Sequence, residues 1–317
     1  MGTPLIETKG LKKYFNTPRG LLHAVDDVNI TIESGKTCGV VGESGCGKST
    51  LGRTIMRLLE PTGGEVLYQG NDILKYGKKE MKPMHTKMQM IFQDPFTSLN
   101  PRLSVGNIIA EPMKVTKLNG ARGEMSDKVR ELMELCGLPE RYYNTYPHEL
   151  DGGRRQRVGL ARALAVNPSF IVCDEPVSAL DVSIQAQILN LLMDLQDQKG
   201  LAYMFITHDL CVVRHISDYI AVMYLGQVVE YASRDDLFAE QLHPYTKALL
   251  SAIPTTDLAR RGLERELLKG EVGNPINPAP GCRFASRCKY CSKTCDEPQQ
   301  LREVKPGHFV RCRLIDR

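Results

Sequence analysis

The glycine-rich segment Gly42–Thr50 (GESGCGKST) constrains the fold of this chain more than any other feature, because it matches the pattern G-x4-G-K-[ST]. It follows a short β-type segment, Lys36–Val41, and it leads into Ser49–Leu59, which has helical periodicity. Between a strand and a helix, such a loop surrounds a β-phosphate with backbone N–H groups. The Lys of the pattern reaches the β and γ oxygens and the Ser binds Mg²⁺, so the segment predicts a nucleoside triphosphate site with Lys48 and Ser49 in these roles.

Charge and hydropathy exclude several classes of protein. The 317 residues carry 41 Lys and Arg against 37 Asp and Glu, a net charge of +4 that is too small to indicate nucleic acid as a partner. No apolar run approaches the roughly 18 to 20 residues that a membrane helix needs, and the first residues lack the basic start and apolar stretch of a signal peptide. We therefore expect a protein that is made and kept in the cytosol.

The remaining pattern is typical of an α/β fold. Apolar segments of strand length alternate with helical stretches, as in a parallel sheet that is buried on both faces. The predicted strands are Pro4–Lys9, Val25–Ile32, Lys36–Val41, Glu65–Tyr68, Lys87–Phe92, Phe170–Cys173, Ala202–Thr207 and Tyr219–Tyr224.

Two changes in sequence pattern and composition along the chain predict its division into domains. Helical periodicity dominates between about residues 95 and 165, including Gly106–Lys117 and Met125–Leu135, which indicates an inserted helical subdomain. Near residue 255 the composition changes to charged residues, then to Pro and Gly, and then to Cys. We place a domain boundary there, between a domain of residues 1–254 and an extension of residues 255–317.

A second set of residues supplies the groups that hydrolysis of a nucleotide requires. The strand Phe170–Cys173 ends in Asp174, which would hold Mg²⁺ directly or through water, and Glu175, which would polarise the attacking water. The segment SALD, ending at Asp181, follows at once, and His208 ends the next apolar strand (FITHD).

The order of these motifs resembles the ATPase subunit of an ABC transporter. The motifs are GESGCGKST, Gln93 in IFQDP, LDGGRRQR, FIVCDEP, SALD and THD, and the resemblance covers nearly the whole chain. It implies a P-loop NTPase core of the ABC type, with an antiparallel β subdomain and an inserted α-helical subdomain. It also implies two such subunits facing head to tail, with each ATP between the phosphate loop of one and the signature segment of the other.

The same resemblance implies a role for each motif residue. Lys48, Gln93, Glu175 and His208 would be catalytic, with Gln93 sensing the γ-phosphate and touching the membrane subunits, and Asp181 communicating across the dimer. The adenine ring would stack on Phe15, which we prefer, or on Tyr14. The Mg²⁺ ligands would be Ser49, Gln93 and Asp174. The residues contacting the nucleotide or its metal would be Gly42, Ser44, Gly45, Cys46, Gly47, Lys48, Ser49, Thr50, Gln93, Asp151, Gly152, Gly153, Asp174 and Asp181.

The signature segment departs from the family pattern. The usual sequence is Leu-Ser-Gly-Gly-Gln, whereas residues 150–154 read LDGGR. An ionised Asp151 can only accept hydrogen bonds, and it would repel the γ-phosphate to which the usual Ser donates. Either the composite ATP site built from this segment is altered, or Arg154, with Arg155 beside it, offsets the charge.

Three further stretches narrow the resemblance to the ATPases of dipeptide and oligopeptide importers. They are YPHEL before the signature, LHPYTKALLSAIP at residues 242–254 and the lead into GCRFASRC. The implied function is ATP hydrolysis at the cytoplasmic face of the membrane, energising peptide import. The implied partners are a second ATPase subunit, identical or related, two transmembrane permease subunits and an extracytoplasmic peptide-binding protein.

The alternative function is that of a nickel importer ATPase. An ABC protein acting on nucleic acid or the ribosome is less favoured, because the chain has one set of motifs.

The cysteines form a second candidate site. Five of the ten lie near the C-terminus in the arrangement C282-x5-C288-x2-C291-x3-C295-x16-C312. Four thiolates suit structural Zn²⁺ or an iron-sulfur cluster, and the spacing does not choose between them. The resemblance to peptide importers implies a 4Fe-4S cluster held by Cys282, Cys288, Cys295 and Cys312, with Cys291 as an alternative ligand or a free thiol.

Overall fold

A computed structural model of the chain describes residues 4–116, 122–252, 270 and 273–316. The predicted boundary near residue 255 lies outside the described residues, so the domain limits remain a prediction. The chain divides into two compact units. The first comprises segments within residues 1–32, 37–74 and 206–317, and the second comprises residues 33–36 and segments within 75–205.

The strands of the described residues follow in chain order. They are β1 (Ile6–Thr17), β2 (Gly20–Ile32), β3 (Thr37–Val41), β4 (Gly63–Tyr68), β5 (Asn71–Asp72), β6 (Met88–Ile91), β7 (Phe170–Asp174), β8 (Ala202–Ile206), β9 (Tyr219–Tyr224), β10 (Gln227–Ser233), β11 (Arg302–Lys305) and β12 (His308–Val310).

The α-helices of the described residues are given in the same order. They are α1 (Lys48–Ile55), α2 (Lys78–Lys87), α3 (Pro95–Ser98), α4 (Val105–Val115), α5 (Arg122–Leu135), α6 (Gly152–Leu164), α7 (Val182–Lys199), α8 (Leu210–Ile216), α9 (Arg234–Ala239) and α10 (Pro244–Ser251). None of them is both long enough and apolar enough to cross a membrane.

The first unit contains two groups of strands. One is an antiparallel sheet in the order β2-β1-β4-β5, and the other runs in the order β11-β12-β10-β9-β3. In the second group β3 pairs with β9 in parallel, whereas β10 pairs antiparallel with both β9 and β12. The prediction of parallel strands is therefore right for β3 and β9, but the sheet is mixed, because the tight turn at Leu225–Gly226 folds β10 back beside β9.

The second unit combines short parallel strands with most of the helices. Its strands follow the order β8-β7-β6, and Met88 of β6 lies opposite Phe170 of β7 in a parallel ladder. Helices α3 to α6 occupy the region predicted to be helical. Asp151 and Asp181 directly precede helices α6 and α7 and cap them, because their carboxylates accept hydrogen bonds from backbone N–H groups of the first turn.

Three predicted boundaries are wrong. Strand β2 begins at Gly20 rather than at Val25, because its first residues pair with the end of β1. Strand β1 continues to Thr17, beyond the predicted end at Lys9, because its later residues pair with β2 around irregularities in register that obscure the alternation. Helix α1 ends at Ile55 rather than near Leu59, because Arg57 has a φ of +53° and closes the helix in a left-handed turn.

Candidate nucleotide site

The phosphate loop connects the buried strand β3 to helix α1, as predicted. Gly42, Gly45 and Gly47 have φ values of +154°, +77° and +104°, which side-chain-bearing residues rarely adopt. A Cβ atom at Gly47 would overlap the carbonyl oxygen of Ala24, whereas a Cβ at Gly45 would have no neighbour within 4 Å. The loop is therefore packed against the protein at Gly47 and open at Gly45, where a phosphate group needs room.

The Lys48 side chain folds back over this loop. Its ammonium group donates to the carbonyl oxygens of Gly42 at 2.7 Å and Glu43 at 3.0 Å, and the residue is only 5% exposed. Cys46 is buried beside it, and burial raises the pKa of its thiol. The cation that the motif assigns to the phosphates thus lies on the loop itself, with Ser49 as the next residue of α1.

The second unit brings together Gln93 and Glu175, which are distant in sequence. The Gln93 side-chain amide donates to the Glu175 carboxylate at 3.0 Å. Glu175 follows the fully buried Asp174 at the end of β7, and its φ of +46° places it in a left-handed conformation. The carbonyl oxygen of the Gln93 amide takes no part in this hydrogen bond, since the nitrogen is the donor.

The two charged residues of the signature segment contact each other. Asp151 caps α6 by accepting from the Arg154 backbone N–H at 2.7 Å, and the Arg154 guanidinium forms an ion pair with the same carboxylate. The guanidinium also lies 5.0 Å from the centre of the Tyr142 ring. Arg154 therefore partly neutralises Asp151, which favours the second of the two interpretations of this segment.

Two other predicted site residues lie next to helix N-termini. Asp181 caps α7, and the hydrogen bond from the Ile184 N–H lowers the pKa of its carboxyl group. His208 is exposed two residues after the end of β8, and it directly precedes Asp209, which caps α8. These two helix caps fix the backbone next to the Asp181 and His208 side chains.

The two candidates for adenine stacking differ in their contacts. The Tyr14 hydroxyl donates to Asp26, and its ring stacks on His23 with centroids 4.0 Å apart. The Phe15 ring is half-buried, with the Lys13 ammonium group 4.8 Å from its centre. Both rings therefore already contact another side chain, and the choice of Phe15 over Tyr14 for adenine stacking stays a prediction.

The C-terminal cysteines are near one another. The Cys282 N–H donates to the Cys295 carbonyl at 2.7 Å. Burial and then the neighbouring thiols of Cys295, Cys312 and Cys288 raise the pKa of Cys282 to about 11. Even so, within the part of the chain that the structure describes, no three His, Cys, Asp or Glu side chains are arranged to hold a metal ion. The predicted metal site is therefore unsupported as a preformed ligand set, although its thiols are neighbours.

Arg287 and Tyr245, which contact Glu43 of the phosphate loop, were not among the predicted site residues. The Arg287 guanidinium donates to both carboxylate oxygens of Glu43, at 2.8 and 3.2 Å, and the Tyr245 hydroxyl accepts from the Glu43 backbone N–H at 3.0 Å. The only available signal was the pair of arginines inside GCRFASRC, which the cysteines overshadowed.

Two family models and many known proteins match the chain. The model described as ABC transporter matches residues 25–178, and that described as oligopeptide/dipeptide transporter, C-terminal region, matches residues 229–295. A putative oligopeptide transport ATP-binding protein of Bacillus subtilis is 51% identical over 314 residues, which are 98% of this chain and 95% of the relative. The chain belongs to the ABC transporter ATP-binding family, in its oligopeptide and dipeptide branch.

Other members of the family give the same result. The oligopeptide transport ATP-binding protein OppF of Bacillus subtilis is 50% identical over 98% of this chain and 97% of its own length. A bacterial ABC transporter cassette solved as a dimer superimposes with a TM-score of 0.67 at 31% identity, covering 72% of this chain and 98% of that one. The predictions of an ABC-type P-loop fold and of an ABC ATPase are confirmed.

Proposed function

We propose that this ABC ATPase binds and hydrolyses ATP to energise the import of dipeptides and oligopeptides through partner membrane subunits. The observation that carries the proposal is the phosphate loop, in which Lys48 lies on the loop carbonyls and Gly45 leaves its face open. Similarity to peptide import ATP-binding proteins over 98% of the chain supports the class of substrate.

The residues would divide the chemistry between binding and hydrolysis. The loop residues Gly42, Ser44, Gly45, Cys46, Gly47, Lys48, Ser49 and Thr50 would bind the phosphates, and Phe15 would stack on adenine. Glu175, oriented by Gln93, would accept a proton from the attacking water, and His208 would contact the γ-phosphate. Gly152, Gly153 and Asp181 would complete the contacts across the pair of ATPase subunits.

The donor set fits Mg²⁺. A hydroxyl from Ser49, the amide oxygen of Gln93 and the carboxylate of Asp174 are hard oxygen ligands, the kind this ion prefers. When bound with ATP, Mg²⁺ neutralises charge on the transferring phosphoryl group. Full burial of Asp174 at the end of β7 restricts its carboxylate to a fixed place, which suits a ligand.

The proposed assembly contains a second ATPase subunit, identical or related, two transmembrane permease subunits and an extracytoplasmic peptide-binding protein. The chain would lie at the cytoplasmic face of the membrane as a peripheral subunit, with no nucleic-acid partner. Within it, residues 1–254 would form the ATPase domain, with an antiparallel β subdomain and a helical subdomain at about 95–165, and residues 255–317 would form the extension.

Transport by the purified complex tests this function. We expect the membrane subunits that copurify with the chain to take up peptides in vesicles in an ATP-dependent way, and the Lys48→Ala variant to abolish uptake. Uptake of nickel but not of peptides would favour the alternative importer. Copurification with ribosomes or nucleic acid, without membrane subunits, would contradict the proposal.

We also propose that Cys282, Cys288, Cys295 and Cys312 bind a 4Fe-4S cluster, with Zn²⁺ as the alternative occupant. The four thiols lie near one another without forming a preformed ligand set, and sulfur ligands suit both occupants. Anaerobic purification followed by iron, sulfide and zinc analysis distinguishes them. The Cys295→Ser variant should lose the metal, whereas Cys291→Ser should keep it; retention in both would make Cys291 the alternative ligand.

A further inference from the structure

The phosphate loop is joined to the C-terminal extension by an ion pair with two hydrogen bonds. The Arg287 guanidinium meets the Glu43 carboxylate through two nitrogens, and the side chains are 6% and 26% exposed. This two-point geometry is the strongest form of a carboxylate–guanidinium contact. Arg287 therefore holds a residue that lies inside the nucleotide-binding motif.

Glu43 is held at three points. Its carboxylate is bound by Arg287, its backbone N–H donates to the Tyr245 hydroxyl at 3.0 Å, and its carbonyl oxygen accepts from the Lys48 ammonium group at 3.0 Å. Arg287 is thus linked to the Lys48 ammonium group through one intervening residue, Glu43.

The segment that carries Arg287 is itself anchored. The buried Phe284 ring packs against Tyr224 and Tyr245, with centroids 5.3 and 5.4 Å apart. Arg283 donates to the carbonyl of Leu225 and forms an ion pair with Asp26. Because two arginines and one aromatic ring fix residues 283–287, the Arg287 guanidinium is not a mobile surface charge.

The negative charge of Glu43 opposes the binding of a triphosphate, and Arg287 neutralises that charge. A carboxylate within the loop repels the triphosphate, and in a partly buried site that repulsion is weakly screened. Arg287 compensates this charge and leaves the loop with the net positive character of Lys48. An uncompensated carboxylate would lower the affinity for ATP.

We propose that Arg287 is a positioning and charge-compensating residue for the nucleotide site, through which the C-terminal extension sets the affinity of the phosphate loop for ATP. The proposal rests on the proposed nucleotide site. Its ligand chemistry is that of a polyphosphate anion, and the residue acts on it through Glu43 rather than by direct contact.

Binding and turnover of ATP by the full chain in its transporter test this inference. The Arg287→Gln variant should bind ATP about tenfold more weakly, because it leaves the Glu43 charge uncompensated. The same variant should raise KM for ATP with little change in kcat. Arg313→Gln is the matched control, since it removes the same charge from an exposed ion pair with Glu297 elsewhere in the extension. Equal ATP affinity in Arg287→Gln and the wild type would overturn the proposal.

Two further variants separate charge compensation from loss of folding. Arg287→Lys keeps the charge and should recover most of the affinity. In the double variant Glu43→Gln with Arg287→Gln no charge is left unpaired, so ATP affinity should return to within about threefold of the wild type. A double variant as weak as Arg287→Gln, or one with lower thermal stability and no recovery, would show that Arg287 has only a structural role and would contradict the proposal.

Thermodynamic coupling between the extension and the ATP site provides a second measurement, besides ATP turnover. If the extension acts on the ATP site, ATP must stabilise the extension by the same coupling free energy. Hydrogen exchange in residues 281–291 should slow on adding ATP in the wild type and in Arg313→Gln, and not in Arg287→Gln. The Lys48→Ala variant separates this proposal from the proposed nucleotide site. If Lys48→Ala binds ATP normally, the nucleotide site itself is misassigned. If Lys48→Ala loses ATP binding but Arg287→Gln binds ATP normally, only the role of Arg287 is refuted.

Discussion

The side-chain amide of Gln93 donates a 3.0 Å hydrogen bond to the carboxylate of Glu175. Glu175 adopts this position with a φ of +46°, a conformation that costs free energy for a residue with a side chain. The strand β7 places the residue, and the amide orients it. The carboxylate is therefore held in place by a contact within the protein.

We expect Glu175→Gln to lower ATPase activity by at least about 100-fold while ATP binding remains, because the amide cannot accept the proton from water. Steady-state hydrolysis and equilibrium nucleotide binding on the same preparations measure the two effects. Glu131→Gln, a neutralisation on the exposed face of α5, is the control. A Glu175→Gln variant with full activity would remove this residue from the role of base.

The ion pair between Asp151 and Arg154 predicts an asymmetric response to mutation. Arg154→Gln should lower ATPase of the assembled transporter about fivefold, because it exposes the Asp151 charge to the phosphates bound by the partner subunit. Asp151→Ser should have little effect, and it should restore activity when combined with Arg154→Gln. A large gain in Asp151→Ser alone would favour the altered composite site instead.

Replacing two glycines of the phosphate loop by Ala should have different effects, one on stability and the other on ATP binding. Gly47→Ala should unfold at lower temperature, since its Cβ overlaps the Ala24 carbonyl at a φ of +104°. Gly45→Ala, with open space around it, should cost only about 1 kcal/mol of stability but weaken ATP binding by filling the phosphate position. Gly35→Ala, which has a φ of +69° and no neighbour within 4 Å, is the control for the backbone cost. Normal ATP binding by Gly45→Ala would contradict the assigned phosphate position.

The buried His243 predicts sensitivity to mild acid. Burial lowers its pKa from 6.5 to about 4, and its Nδ1 accepts from the Tyr245 N–H at 3.0 Å, so the folded state holds the neutral ring. Because the folded pKa is the lower one, this contribution to stability is complete above about pH 6.5 and is lost as the pH falls towards 4.

The size of this effect is about 3 kcal/mol between those pH values. Denaturant unfolding of the wild type and of His243→Asn at a series of pH values measures it, since Asn keeps an acceptor at the start of α10 and does not titrate. His148→Asn, at an exposed site, is the control. Parallel pH profiles for the wild type and His243→Asn would contradict this assignment.

The parts of the fold that depend on neighbouring residues in sequence were predicted correctly. The loop Gly42–Thr50 and the strands β3, β7, β8 and β9 were found from sequence, because glycine punctuation and apolar runs depend on neighbouring residues. The pairing of β12 with β10 was not found, since β12 has only three residues and its partner is distant in the chain. Its burial depends on contacts that periodicity does not encode.

The candidate site divides in the same way. The motif residues were predictable one by one, but their fixed geometry was not. Arg154 was one of two candidates for compensating Asp151, and the structure selects it by a direct contact. Arg287 lies within the GCRFASRC stretch, but that stretch does not say which residue the guanidinium meets, because Glu43 is 244 positions away in the chain.

The contact between Glu43 and Arg287 joins residues separated by 244 positions. During synthesis the ribosome releases the phosphate loop long before it releases Arg287. Until then, Glu43 is an uncompensated acid next to the cation meant for phosphate. A chain interrupted before Arg287 would carry every nucleotide motif and, on the proposal above, would still bind ATP poorly, so tight ATP binding would require synthesis to have passed residue 287.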